Sequence, residues 1–326
     1  MKTILKTVAA VSALVLSLST AQAETVLKFG HPAPETDLSH KMALKFADAV
    51  KEGTNGSVVI QVFPNGQLGT DQQLIDGVRS GIIDFELSGL NNFTGMIPEA
   101  GAFTLPFMFP NRETAYKVLD GEVGQGVLTS LEEFGLKGLG FPENGYRNIT
   151  NNRGAVKVPA DLGGVVMRVN NSKALNDLFQ SLDANPQQIP VAELYTALET
   201  GVVNAQDHPI WVVEAFKFYE VQKYLSLSQH AYSALTIVMN LDRFNSLTPD
   251  EQKVIVEAAA EAVAFQRAAN QEAEEEKIKF LEGEGMVVNR DVDSAAFQEA
   301  AKPVWENFKK ENGDVLINAI LEASKS

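Results

Sequence analysis

The sequence predicts an α/β protein built around an open, parallel β-sheet, and three observations carry that prediction. Runs rich in β-branched and aromatic residues alternate with segments of helical spacing from the N-terminal end onward. A second alternation of the same kind starts near residue 136. The chain has 326 residues, 45% of them hydrophobic, which is enough for two ordinary cores.

The elements follow in order. Residues 26–30 form a short apolar run. Leu38, Met42, Phe46 and Val50 then recur every four residues, which is helical spacing, and Gly53-Thr-Asn-Gly56 ends that helix. Residues 58–63 are β-branched and read as a second strand. Residues 71–80 read as a helix closed by Gly81, and 82–87 as a third strand. This β-α-β-α-β order opens a parallel sheet with right-handed crossovers. Ligands of such sheets bind beyond the carboxyl ends of the strands, which directs attention to His31 and to residues 88–93.

The second alternation predicts strands at 136–141 and 165–169, helices at 172–182 and 191–199, a strand at 202–206 and a helix at 210–218. Residues 232–240 read as a long apolar strand. Thr248-Pro249-Asp-Glu251 is a capping box with proline at the first helical position, and its helix runs to about Leu281. The acidic cluster 272–276 reads as a solvated face. Gly121–Gly126 breaks a helical pattern. No internal repeat or low-complexity tether joins the halves.

Lys2 and Lys6, the apolar residues 8–19 and Ala21-Gln22-Ala23 have the form of a secretory signal peptide cleaved before Glu24. The apolar stretch is too short to span a bilayer, and no later segment is long and apolar enough. An exported, soluble product is expected. There are no cysteines, so the core alone must stabilise the fold. The formal net charge is −15, and −17 once the two leader lysines are gone. That balance argues against nucleic acid and anionic lipid as partners.

Arg168 interrupts the apolar run 165–169. A guanidinium on a buried strand is costly unless it meets an anion, and arginine suits a two-pronged grip on a carboxylate. No acid lies near it on that strand. Its partner is then a ligand or a distant Asp or Glu, unless the side chain sits on a wet face. The segment Asn204-Ala-Gln206-Asp-His208-Pro209 is dense in polar groups at a strand end and is backed by Trp211, which suits a pocket as well as a polar turn. The aromatic run 216–224 reads as core. None of the four histidines has zinc-helix spacing, and no metal site is expected. The chain lacks a Gly-x-Ser-x-Gly elbow and a phosphate-binding loop.

These residues together resemble the periplasmic solute-binding subunits of tripartite ATP-independent periplasmic (TRAP) transporters, of the dicarboxylate type. The matching stretches are Leu27-Lys-Phe-Gly-His31, Phe63-Pro-Asn-Gly-Gln-Leu-Gly69, Gly81-Ile-Ile-Asp-Phe85, Leu105-Pro-Phe107 and Tyr146-Arg147-Asn-Ile-Thr-Asn. They continue through Met167-Arg168-Val-Asn, Glu193-Leu-Tyr-Thr-Ala-Leu, Gln206-Asp-His-Pro and Lys217-Phe-Tyr-Glu-Val-Gln-Lys-Tyr. The resemblance implies a two-lobed periplasmic binding protein fold with strand hinges and a long inter-lobe helix. Residues 1–23 would be the signal peptide, 24–144 plus 234–273 the first lobe, and 145–233 plus 274–326 the second. It implies binding without chemical turnover, no cofactor, a monomer in the periplasm, and the transporter's membrane subunits as partners.

The resemblance also implies site residues. Arg168 would clamp the ligand carboxylate, Arg147 would add a second contact and Asn171 a hydrogen bond. His208, His31, Asn91, Asn92, Trp211, Gln206 and Asp71 would complete the ligand-binding set. The chain departs from the family at His208, where many relatives carry Asn, and at Val191, where several organic-acid binders carry Phe. Asn91 and Asn92 stand where sialic-acid binders carry charged groups, which disfavours that ligand. A sugar acid or hydroxy acid is expected ahead of a plain C4-dicarboxylate. Phe93-Thr-Gly and Trp211 are similar to ectoine-type binders, which offer an alternative. A periplasmic hydrolase or lyase on this fold is a further alternative, disfavoured by the missing nucleophile–base motif.

Overall fold

In a computed structural model, residues 24–325 are described. The segment expected to be the signal peptide, residues 1–23, lies outside them. The chain begins β1 (Thr25–Gly30), α1 (Leu38–Gly53), β2 (Val58–Phe63), α2 (Asp71–Arg79) and β3 (Phe85–Gly89). Asp37 caps α1 by accepting from the Ser39 amide at 2.7 Å, and Leu38, Met42, Phe46 and Val50 are buried along one seam. At the start of α2 the Thr70 amide donates to Gln73 Oε1 at 2.9 Å. The third strand starts at Phe85 rather than residue 82, because Gly81 turns the chain at φ +74° and leaves Ile82 exposed.

Next come α3 (Arg112–Asp120) and α4 (Glu122–Ser130), then β4 (Leu136–Gly140) and β5 (Glu143–Asn151); the helix break expected over Gly121–Gly126 is confined to Gly121, since residues 122–126 are helical. They are followed by β6 (Val166–Val169), α5 (Lys173–Ser181), β7 (Asn185–Gln188), α6 (Val191–Glu199), β8 (Ala205–His208) and α7 (Ile210–Ala215). The strand expected at 202–206 is displaced towards the C-terminus, since Gly201 has φ +76° and Val202 is exposed. The helix expected to reach 218 stops at Ala215, and Lys217 takes a left-handed conformation at φ +57°.

The chain closes with β9 (Tyr224–Asn240), α8 (Leu241–Ser246), α9 (Pro249–Gly283), β10 (Val287–Asn289), α10 (Ser294–Asn312) and α11 (Val315–Lys325). β9 has 17 residues and begins eight before the strand expected at 232. Thr248 caps the 35-residue α9 through its capping box with Glu251.

The sheet order is β2-β1-β3-β9-β5-β8-β6-β7. It contains two parallel trios, β2-β1-β3 and β8-β6-β7. The antiparallel pair β9–β5 joins them, so the sheet is mixed where a parallel one was expected. The β5–β9 register slips between Glu143 and Gly145 and again between Arg147 and Ile149. α9 spans both halves. Its Ile255, Ala259 and Ala262 belong to a core with α1 and β1, whereas Ile278 and Leu281 pack with α6 and α7. Between them, Gln266 accepts from the Glu143 amide at 2.9 Å and donates to the Glu143 carbonyl at 2.6 Å.

The acidic cluster 272–276 is not uniformly solvated, because Glu274 is half-buried and bonded to Arg112. α10 packs on α5. α11 buries Ile317 and Ile320 and packs on α3 and α4, elements assigned from sequence to the first lobe. Among the described residues no helix is long and apolar enough to cross a membrane.

Candidate functional site

A cavity of about 500 Å³ opens at the carboxyl ends of strands from both trios. From the first trio, His31 follows β1, Ser88 ends β3, and Asn91 and Asn92 follow it. Asp71 comes from the first turn of α2. Arg168 on β6, Asn170 and Asn171 beyond it, Gln188 at the end of β7 and His208 at the end of β8 line the opposite wall. Asn144 and Arg147 project from β5 between them. The volume falls in the range of small-molecule sites.

The two arginines differ in their partners. Arg147 is 1% exposed and holds Asp207 in a fork, with Nε donating to Oδ2 at 2.6 Å and Nη2 to Oδ1 at 3.0 Å. His230 meets the same carboxylate at 3.1 Å and Ser228 at 2.8 Å. Burial alone would raise the Asp207 carboxyl, but Arg147 and His230 hold it below the ordinary carboxylate range. Arg168 is 2% exposed, yet makes no ion pair among the described residues. Its Nε donates to the Ile189 carbonyl at 2.8 Å, and its Nη1 lies 3.1 Å from His208 Nε2. Burial and then the charge of Arg147 lower its pKa to about 10, so it stays charged at neutral pH.

The other titratable groups are set chiefly by burial. His208 is pushed well below its ordinary value by burial and by both arginines, which keeps it neutral. His31 falls to about 3 through burial and the neighbouring His40 ring, 3.1 Å away. Asp71 rises to about 6 through burial, a shift that Arg168 partly offsets. Behind it, Glu86 is fully buried beside Ser88, and burial raises it well above the usual range.

Of the ten residues expected in the site, Arg168, Arg147, Asn171, His208, His31, Asn91, Asn92 and Asp71 line the cavity. Two do not. Trp211 points at α9, with Nε1 donating to the Asn270 carbonyl at 3.3 Å and Lys277 over its ring. Pro209 starts α7 there, so the aromatic backs the helix and not the pocket. Gln206 lies beneath His208, donating to Thr150 Oγ1 at 2.7 Å and meeting His208 Nδ1 through Oε1. Asn144, Asn170 and Gln188 line the cavity without having been singled out, although Asn170 sits two residues past Arg168, just beyond a strand already marked. Asn171 is bonded to Gln188.

A cavity between two parallel trios, crossed by paired strands and lined by a buried arginine that makes no ion pair among the described residues, suits the enclosure of a small anionic molecule. The chain belongs to the bacterial extracellular solute-binding protein family 7 (DctP), whose family model matches residues 29–312. It is 43% identical over 299 residues to the 2,3-diketo-L-gulonate-binding periplasmic protein of Escherichia coli strain K12, covering 91% of each chain. Among solved structures it is similar to the sugar acid binding protein of Advenella mimigardefordensis in complex with galactonate, with a TM-score of 0.90, 35% identity, and 93% and 98% of the two chains covered. A TRAP periplasmic solute-binding protein of Polaromonas sp. JS666 bound to D-erythronate matches with a TM-score of 0.89 and 34% identity, over 91% and 98%.

Proposed function

We propose that this chain captures a sugar acid in the periplasm and delivers it to the membrane subunits of a TRAP transporter, through a carboxylate clamp centred on Arg168. One observation carries the reading. Of the three buried arginines among the described residues, Arg147 pairs with Asp207 and Arg267 with Asp120, whereas Arg168 makes no ion pair and feels Asp71 only across the cavity. A guanidinium taken out of water without a counter-ion is costly, and a ligand carboxylate removes that cost. The site compensates one carboxylate and not two, because Arg147 is already neutralised and Asp71 and Asp37 present acidic groups to the same cavity. The rest of the polar wall is largely neutral amide, hydroxyl and imidazole, suited to hydroxyl and keto oxygens. The named relatives bind 2,3-diketo-L-gulonate, galactonate and D-erythronate, all of them sugar acids.

The protein binds its ligand without converting it. The first lobe, 24–144 plus 234–273, would meet the second, 145–233 plus 274–326, across the ligand. Calorimetric titration with galactonate, erythronate and succinate, and mass spectrometry of co-purifying ligand, test the reading. A hydroxylated monocarboxylate should bind most tightly and be recovered unchanged. Steady conversion of it, or a preference for succinate, rejects the reading. Arg168→Lys keeps the charge but loses the planar fork. Its affinity should fall by about 2–5 kcal/mol, roughly thirtyfold to several-thousandfold. Binding within about twofold of wild type would place the clamp elsewhere.

A further inference from the structure

We propose that His208 is a positioning residue for Arg168, held as the Nδ1–H tautomer by a hydrogen-bond chain through Gln206, Thr150 and Gln222 that ends on a main-chain carbonyl. The inference rests on the Arg168 clamp described above and assigns a role to groups beneath it. Gln222 Nε2 donates to the Val221 carbonyl at 3.1 Å. A carbonyl only accepts, so the Gln222 amide has one orientation, with Oε1 turned towards Thr150. Thr150 Oγ1 donates its single proton to that oxygen at 3.0 Å. The hydroxyl therefore accepts from Gln206, whose Nε2 lies 2.7 Å away. Gln206 must then present Oε1 to His208 Nδ1, and that nitrogen must carry the proton.

The polarity of the whole chain is set at the Val221 carbonyl. His208 Nε2 is left bare and accepts from Arg168 Nη1 at 3.1 Å. All members are buried: Gln206 and Thr150 are 0% exposed, Gln222 2% and His208 5%. Water therefore competes poorly with these bonds.

Two consequences follow for recognition. Both His208 nitrogens are committed, so the ring gives the ligand no hydrogen bond, even though His208 lines the cavity. Arg168 spends Nε on the Ile189 carbonyl and one N–H of Nη1 on His208. The other N–H of Nη1 and both on Nη2 remain, which is the end-on fork for a carboxylate. The imidazole and the Ile189 carbonyl fix the rotation of that fork, so the ligand does not have to order it. Asp207, next in the chain to His208, is occupied with Arg147 and His230 and does not reach the ring.

The test reads the tautomer directly. In ¹⁵N-labelled ligand-free protein, long-range ring correlations of His208, assigned by their loss in His208→Gln, should show a protonated Nδ1 and a bare Nε2. The pattern should hold between about pH 5.5 and about pH 8, because burial beside two guanidinium groups keeps the ring neutral. Thr150→Val removes the hydroxyl link and should mix the tautomers. It should also weaken galactonate binding by about tenfold, the scale of one net hydrogen bond. Thr150→Ser restores the link and should restore both readouts. An Nε2–H ring or an imidazolium in wild-type protein overturns the proposal, as does an unchanged tautomer in Thr150→Val. If Thr150→Val does not fold, the wild-type spectrum and Thr150→Ser still decide. The spectrum needs no ligand, so a failure there is distinct from a failure to bind acids.

Discussion

Arg168 and Asp71 face one cavity, and an anion that enters it changes the state of both. Asp71 makes no ion pair among the described residues, and its negative form depends on the Arg168 field. Glu86 behind it is held neutral by burial, while His31 and His208 are held neutral by burial and nearby charge. A ligand carboxylate on Arg168 takes over that field and adds its own charge, so Asp71 rises further above about 6 and takes up a proton. The sign follows from linkage. The liganded state binds more protons than the free state, so affinity is full below about pH 6 and falls as pH rises above it. Titration of galactonate at pH 7 in buffers of different ionisation heat should reveal a net uptake of protons. Asp71→Asn should abolish the uptake and flatten the pH profile. Heats independent of buffer in the wild type refute the coupling.

The strands that join the halves depend on local backbone exceptions. Gly145 lies at the first register slip of β5, at φ +117°, and a Cβ there would come within 3.2 Å of Pro209 Cβ. Gly145→Ala is therefore strained in both backbone and contact, and should destabilise the protein by about 1–3 kcal/mol. Denaturant midpoints measure this, and a change below about 0.5 kcal/mol would show that the strand absorbs the methyl group. The same strand marks the limit of what the sequence revealed. The boundaries of β1, α1, β2, α2 and α6 and the start of α9 were legible because apolar spacing and caps agree there. β5 was not, because its buried Arg147, Asn148 and Thr150 are satisfied by Asp207, the Tyr146 carbonyl and Gln222, and so many polar residues erase the apolar pattern of a strand. The first half of β9 was hidden likewise by Ser226, Ser228 and His230. In the site, residues just past strand ends were legible from sheet topology alone. The Arg147–Asp207 pair was not, since it depends on the β5–β8 register that sets Ile149 opposite Asp207.

At the scale of the whole molecule, cavity-lining groups stand on both sides of the β5–β9 joint. Arg168, Asn171 and His208 come from the trio β8-β6-β7, and His31, Asn91 and Asp71 from the side of β2-β1-β3. The connection consists of β5, β9 and α9, with two register slips between β5 and β9 and a pair of hydrogen bonds between Gln266 and the Glu143 backbone. A ligand that touches both walls gains contacts only when they approach, so its binding energy favours the closed arrangement. Small-angle scattering should give a smaller radius of gyration with saturating galactonate than without it. Stability should rise with ligand concentration, by about 2.7 kcal/mol at a hundredfold excess over the dissociation constant. The two measurements separate two physical pictures. Stabilisation with identical scattering curves would mean a cavity already closed around its acid, and the joint would then have no part in capture. Compaction in wild type but not in Arg168→Lys at equal occupancy would mean that the carboxylate clamp itself draws the halves together.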